Sequence, residues 1–216
     1  MKKILILTVA LLLLVCGCKS DKITLPKPEL EEGMRGQLGI DKNVNEKTID
    51  KYLNMDDAVY RDVRMLVDVA KYENIGGDSY LSGYVKGFEV VPFPYLAPVV
   101  GLPDAVGKAY SGKTLYSIDK DGNYTANYKE SLSILESLFP KDKTIFIMCG
   151  GGGYAGMTKT LLVSLGWDEN KIHNVGGFWY YEGENKVNVK REDGSYNFAV
   201  VPYHNIDFTT LTAVKK

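Results

Sequence analysis

Cysteine is scarce in this chain and poorly placed for a disulfide framework. There are three, and two of them, Cys16 and Cys18, sit together in the N-terminal segment. Histidine is scarcer still, with only His173 and His204, and no Cys/His cluster has metal-ligand spacing. No charge sign dominates: the net charge is −1 and the pI is near 6.2, which excludes the basic stripe of a nucleic-acid binder. Runs of like charge and internal repeats are also missing. The single long apolar run, Ile4 to Val15, is too short to cross a bilayer comfortably.

That run is the first informative feature. It follows Lys2 and Lys3 and ends in Val15-Cys16-Gly17-Cys18-Lys19-Ser20. A basic start, a short apolar core and a small residue before cysteine resemble a bacterial lipobox. Gly17 is the small residue that cleavage needs, so Cys18 is the expected lipid acceptor, and residues 1–18 the signal peptide. An ordinary cleaved signal or an uncleaved anchor is the alternative. The lipobox implies a protein held on the extracytoplasmic side of the cell membrane by lipid. Cys16 would leave with the signal and Cys18 would carry lipid on its sulfur. Cys149 is then the one thiol left, either buried and inert or reactive.

The rest of the chain suits one domain. Its 216 residues are 45% hydrophobic, enough for one sizeable core but not comfortably two. Residues 19–35, with Pro26, Pro28 and a Glu-rich patch, read as a flexible tether, and folded structure is expected from Gly36. Ile49, Tyr52 and Leu53 have helical spacing behind Asn45, a candidate cap. Ala58 to Arg64 and Phe88 to Phe93 read as strands, the second stopped by Pro92. Leu115 to Tyr124 fits a hairpin around Asp121-Gly122. Ser131 to Phe139 predicts an amphipathic helix ended by Pro140. Thr144 to Met148 is continuously apolar, as in a strand buried on both faces. A helix over Met157 to Leu165 and a short strand over Ile172 to Val175 follow. Residues 182–216 form an extension with a candidate edge hairpin at Asp193-Gly194. Alternating strands and helices predict an α/β fold: a mainly parallel central sheet, helices on both faces, and a small C-terminal β extension.

The chemistry concentrates after the apolar strand. Cys149 ends it, and Gly150-Gly151-Gly152-Gly153-Tyr154-Ala155 leads into the next helix. Glycines can curl so that successive N–H groups converge on one point. The helix adds its positive N-terminal end. A thiolate or persulfide anion at the base of such a cup would be stabilised, with the thiol pKa expected below its free value of about 8.5. The alternative is a buried, inert cysteine followed by a loose loop.

These residues, with four further stretches, resemble the rhodanese-like domain family over about Asn45 to Tyr181. Asp62-Val63-Arg64 matches the family's strand-end motif. Tyr80 to Gly87 is similar to its glycine–histidine stretch, with Tyr84 in place of histidine. Leu138 to Lys143 leads into the active-site strand, Cys149 stands at the catalytic cysteine, and Asn174 to Trp179 is similar to the closing double glycine and aromatic. The resemblance places the domain at 36–181. It implies sulfur transfer through a Cys149 persulfide, from a small anionic sulfur donor to a thiol acceptor, with Gly150 to Ala155 as the anion-binding loop. No cofactor and no metal are implied. Asp62, Arg64 and Lys159 are candidate supporting residues.

The departures carry information too. Thiosulfate-using members commonly have Arg or Lys in the loop, where this chain has Gly153 or Tyr154. The same gap argues against phosphatases and arsenate reductases of related fold, which clamp an oxyanion with a loop arginine. Two other functions stay open: a binding module that has lost the donor site, and a thiol-redox lipoprotein. His173, His204, Trp179, Tyr180 and Tyr181 are expected to be structural.

Overall fold

The computed structural model describes residues 24–70, 72–102 and 110–215. The signal segment, Cys18 and the start of the tether lie outside the described residues, as does part of the Gly/Pro-punctuated stretch near Leu102. Among the described residues, no helix is long and apolar enough to cross a membrane.

The fold is α/β. Its centre is a parallel sheet of four strands: β1 (Ala58–Asp62), β3 (Glu89–Val90), β6 (Thr144–Cys149) and β7 (Ile172–Gly177), in the order β3-β1-β6-β7. A small sheet pairs β2 (Gly83–Val85) with β8 (Lys186–Asn188), and a hairpin joins β4 (Tyr116–Ile118) to β5 (Tyr124–Ala126). The α-helices are α1 (Phe93–Leu96), α2 (Ser131–Leu138) and α3 (Gly153–Ser164).

Side-chain alternation along β6 explains how the layers form. Ile145, Ile147 and Cys149 point to one face, and Phe146 and Met148 to the other. The first face packs Leu96 of α1, Leu135 and Leu138 of α2, and Leu161 and Leu162 of α3. All three α-helices therefore lie on one side, which corrects the expectation of helices on both. The opposite face is covered by the 3₁₀ turns Ile49–Tyr52 and Phe178–Tyr180 and by Val44, Phe88 and Tyr181. The helical spacing around Ile49 is real, but local side-chain bonds compete with an α-helix there. Thr48 Oγ1 accepts from Asn45 N–H and donates to Asn43 C=O, and Asn45 Oδ1 accepts from Lys47 N–H.

The expected tether is a second correction. Lys42 N–H bonds Glu29 C=O and Glu31 N–H bonds Ile40 C=O, each within 2.9 Å, and Leu30 bridges Asp41. The chain therefore joins the fold from Glu29 rather than Gly36. Arg35 sits at the tip of this arm, where it ion-pairs with the buried Glu46. At the other end, β8 and a parallel bridge from Tyr203 to Val90 attach the C-terminal extension. The Tyr84 hydroxyl donates to Val200 C=O and so ties down that extension.

Helix α2 is tied to the turn after α3 by one buried bond. Gly166, at φ +93°, reverses the chain, and the Trp167 indole N–H then reaches Phe139 C=O at 2.6 Å. Trp167→Phe keeps most of the ring but leaves that carbonyl unpaired. Urea denaturation should show a loss of about 1–3 kcal/mol; an unchanged midpoint would mean that the carbonyl finds another partner.

Candidate functional site

Strand β6 delivers Cys149 to the C-terminal edge of the sheet, where α/β folds place their sites. The thiol is 3% exposed and lies at the base of the glycine loop. Gly152 N–H donates to Sγ at 3.0 Å, and the amides of Ala155 and Gly151 also favour a negative charge on the sulfur. The loop is not a loose connection.

Its orientation follows from what holds its carbonyls. In a trans peptide, C=O and the next N–H point in opposite directions. Trp179 N–H takes Gly150 C=O at 3.1 Å, away from the sulfur, so Gly151 N–H turns inward. Asn174 Nδ2 donates to Gly152 C=O at 3.1 Å and to Leu38 C=O at 2.9 Å, anchoring the Gly152–Gly153 peptide at the head of α3. Gly152 is left-handed at φ +105° and opens α3, whose first bond is Gly156 N–H to Gly152 C=O. Helix α3 therefore begins at Gly153, four residues before the expected start, because Gly153 to Gly156 form its first turn. Gly177 must also be glycine, since a Cβ there would overlap the Gly150 carbonyl.

The expected fall in thiol pKa is not found. Burial pushes the Cys149 thiol above its ordinary value; the amides of Ala155, Gly152 and Gly151 pull the other way, and the Asp62 carboxylate pushes it up further. Desolvating a thiolate costs more here than these amides return.

Asp62 and Arg64 are brought together at the end of β1. The Arg64 Nε donates to both Asp62 oxygens, at 2.9 and 3.1 Å, and Nη2 reaches Asp62 and Gly83 C=O. The guanidinium lies over the Phe178 ring, 4.3 Å from its centroid. Lys159 is not at the site. It pairs with Glu169 at 3.6 Å and lines a separate groove of about 670 Å³ along α3. His173 is fully buried, bonded to Asp41 at 2.7 Å and stacked on Phe146; His204 bonds Glu89. Both are structural.

Cys149 borders a cavity of about 220 Å³, with Gly150, Gly151, Gly153 and Tyr154 from the loop. The remaining wall includes residues that the sequence reading assigned elsewhere or did not single out. Trp179 lines the cavity and also packs against the core, Tyr180 lines the cavity, and Tyr181 packs in the core. Tyr154 is held by a buried network. Its hydroxyl donates to Asp68 Oδ2 at 2.9 Å, and that of Tyr72 donates to the same oxygen at 2.6 Å. Burial, with Asp68, keeps both phenols protonated, so they act as donors. Arg35 enters from the N-terminal arm, stacked over Tyr180 at 3.8 Å. Trp179 had a signal in its motif; nothing local in the sequence marks Asp68, Tyr72 or Arg35.

A comparison with known families, characterised proteins and solved structures finds no match for this chain. The site must be read from its own geometry.

The thiol's environment has a direct kinetic signature. Iodoacetamide alkylation of Cys149 should rise with pH along a curve displaced to the alkaline side of the same thiol in the denatured chain. A midpoint on the acid side would show that the amides outweigh burial.

Proposed function

We propose that this chain is a rhodanese-like sulfur carrier that works through a persulfide on Cys149. The hydrogen bond from Gly152 N–H to the buried Sγ, with the Ala155 and Gly151 amides of the same loop also favouring a negative sulfur, is the observation that carries this reading. Inert buried cysteines have no need of such a cup, whereas a bound sulfur anion does. The Cys149 thiol first releases its proton to water. The thiolate attacks the outer sulfur of a small anionic donor; an S–S bond forms, and the rest of the donor leaves with the electron pair of the broken bond. A thiol acceptor, entering as thiolate, then takes the outer sulfur, and Cys149 departs as thiolate with that pair. The loop amides hold the negative outer sulfur between the two steps. The resting thiol is a weak nucleophile because burial keeps it protonated, so loading is favoured by alkaline pH. The lipobox at Cys18 would place this chemistry at the extracytoplasmic face of the cell membrane.

The raised thiol pKa favours a second reading, in which the fold is retained as a binding module and Cys149 does not turn over. One experiment separates them. Incubated with a sulfane-sulfur donor such as thiosulfate or an organic thiosulfonate, the full chain should gain one sulfur atom at Cys149 by intact-protein mass spectrometry. It should lose that atom to added dithiothreitol, and Cys149→Ser should gain none. Absence of any adduct across several donors at alkaline pH would leave the module.

A further inference from the structure

The cavity over Cys149 carries an excess of negative charge. Arg35 and Arg64 border it, but each is paired with a carboxylate of its own, Glu46 and Asp62. Asp68 and Asp78 line the same cavity and are in no ion pair among the described residues. Asp68 accepts from the Tyr72 and Tyr154 hydroxyls and from Ala70 N–H, all uncharged donors. Asp78 is exposed at the mouth, where it accepts from Tyr80 N–H at 3.1 Å. Other charges close by in the chain leave the sign unchanged. Glu32 and Glu73 precede the wall residues Met34 and Ile75, and they offset Lys186, near Phe178, and Lys71, which lies outside the described residues.

A narrow cleft with low-dielectric walls concentrates such a field. Cys149 is 3% exposed at the base of about 220 Å³, so whatever reaches its sulfur crosses that field. The acceptor of the outer sulfur reacts as a thiolate and brings a negative charge with it. A thiol with no other charge enters that step as an anion, and one with a carboxylate enters as a dianion. A thiol with an ammonium group enters without net charge and sets its cation against Asp68 and Asp78. The aromatic wall of Trp179 and Tyr72 also attracts an ammonium group. The same field slows entry of the small anionic donor, so the charge of the wall serves the unloading step.

We infer that the acceptor of the Cys149 persulfide is a small organic thiol carrying an ammonium group. Its thiolate attacks the outer sulfur, present as S–H. A new S–S bond forms, the bond to Cys149 breaks, and Cys149 leaves as thiolate with the electron pair. The assignment as acceptor rests on the proposed function; the cavity's preference for cations does not.

Charged methanethiosulfonates probe that preference on the resting thiol. The Cys149 thiolate attacks their sulfenyl sulfur and forms a disulfide, and methanesulfinate leaves with the electron pair. Modification is followed at the Cys149 peptide by mass spectrometry. The rate with the aminoethyl reagent over that with the sulfonatoethyl reagent should be about tenfold larger in the folded full chain than in the same chain in urea. Asp78→Asn, which keeps an acceptor for Tyr80 N–H, should reduce that excess about threefold. A ratio no larger than in urea, or one unchanged in folded Asp78→Asn, would overturn the cationic preference. After loading with polysulfide, the chain should pass its sulfur to cysteamine about tenfold faster, per thiolate, than to mercaptopropionate. Equal rates would overturn the acceptor assignment. Failure to load would sink the sulfur-transfer reading and that assignment with it, while the reagent ratio would still decide whether the cavity prefers cations.

Discussion

A buried sulfur bonded by the Gly152 amide, with the amides of Gly151 and Ala155 beside it, imposes a constraint on everything around these amides. Peptide dipoles hold this arrangement only if the carbonyls on their far sides are held elsewhere, and that accounts for much of the local structure. Trp179 N–H takes the Gly150 carbonyl, Thr158 Oγ1 takes that of Tyr154, Asn174 fixes the Gly152 carbonyl that opens α3, and Gly177 has no side chain so that the two loops can touch. Strand β7 therefore does more than extend the sheet, because its end is the clamp that keeps the cysteine loop curled. The 178–180 turn, the arm from Glu29 and the Asp62–Arg64 pair pack around that clamp in succession.

Burial and the amide cup act on Cys149 in opposite directions. Burial removes the water that would stabilise a thiolate, and the nearby Asp62 adds to that cost. The amides offset part of it. A persulfide is intrinsically a stronger acid than a thiol and carries its charge on the outer sulfur. A cup too weak to ionise the resting thiol can still hold the loaded anion. Tyr154 and Tyr72, locked on Asp68, stiffen the wall rather than supply charge.

Much of this was readable in the sequence where local physics dominates. The apolar run at Thr144 to Met148 became β6 because a strand buried on both faces has no polar alternation to obscure it. Ser131 to Leu138 became α2 because its apolar positions share one helical face. The tetraglycine stretch marked a loop that side chains would prevent. Distant contacts were not readable. Arg35 looked like tether because its partners, Glu46 and Tyr180, lie elsewhere in the chain. Placement of all α-helices on one face depended on a covering 3₁₀ turn whose side-chain bonds override its helical spacing. The direction of the thiol's shift depended on a balance of burial against amides, and spacing carries no information about burial depth.

The aim of the loop amides at sulfur is best tested by proton–nitrogen NMR of the chain before and after persulfidation with polysulfide. An anionic outer sulfur seated in the cup should move the amide protons of Gly151, Gly152 and Ala155 downfield together, beyond any other resonances. The three unmoved, while signals elsewhere respond, would mean that the sulfur is not held by the loop.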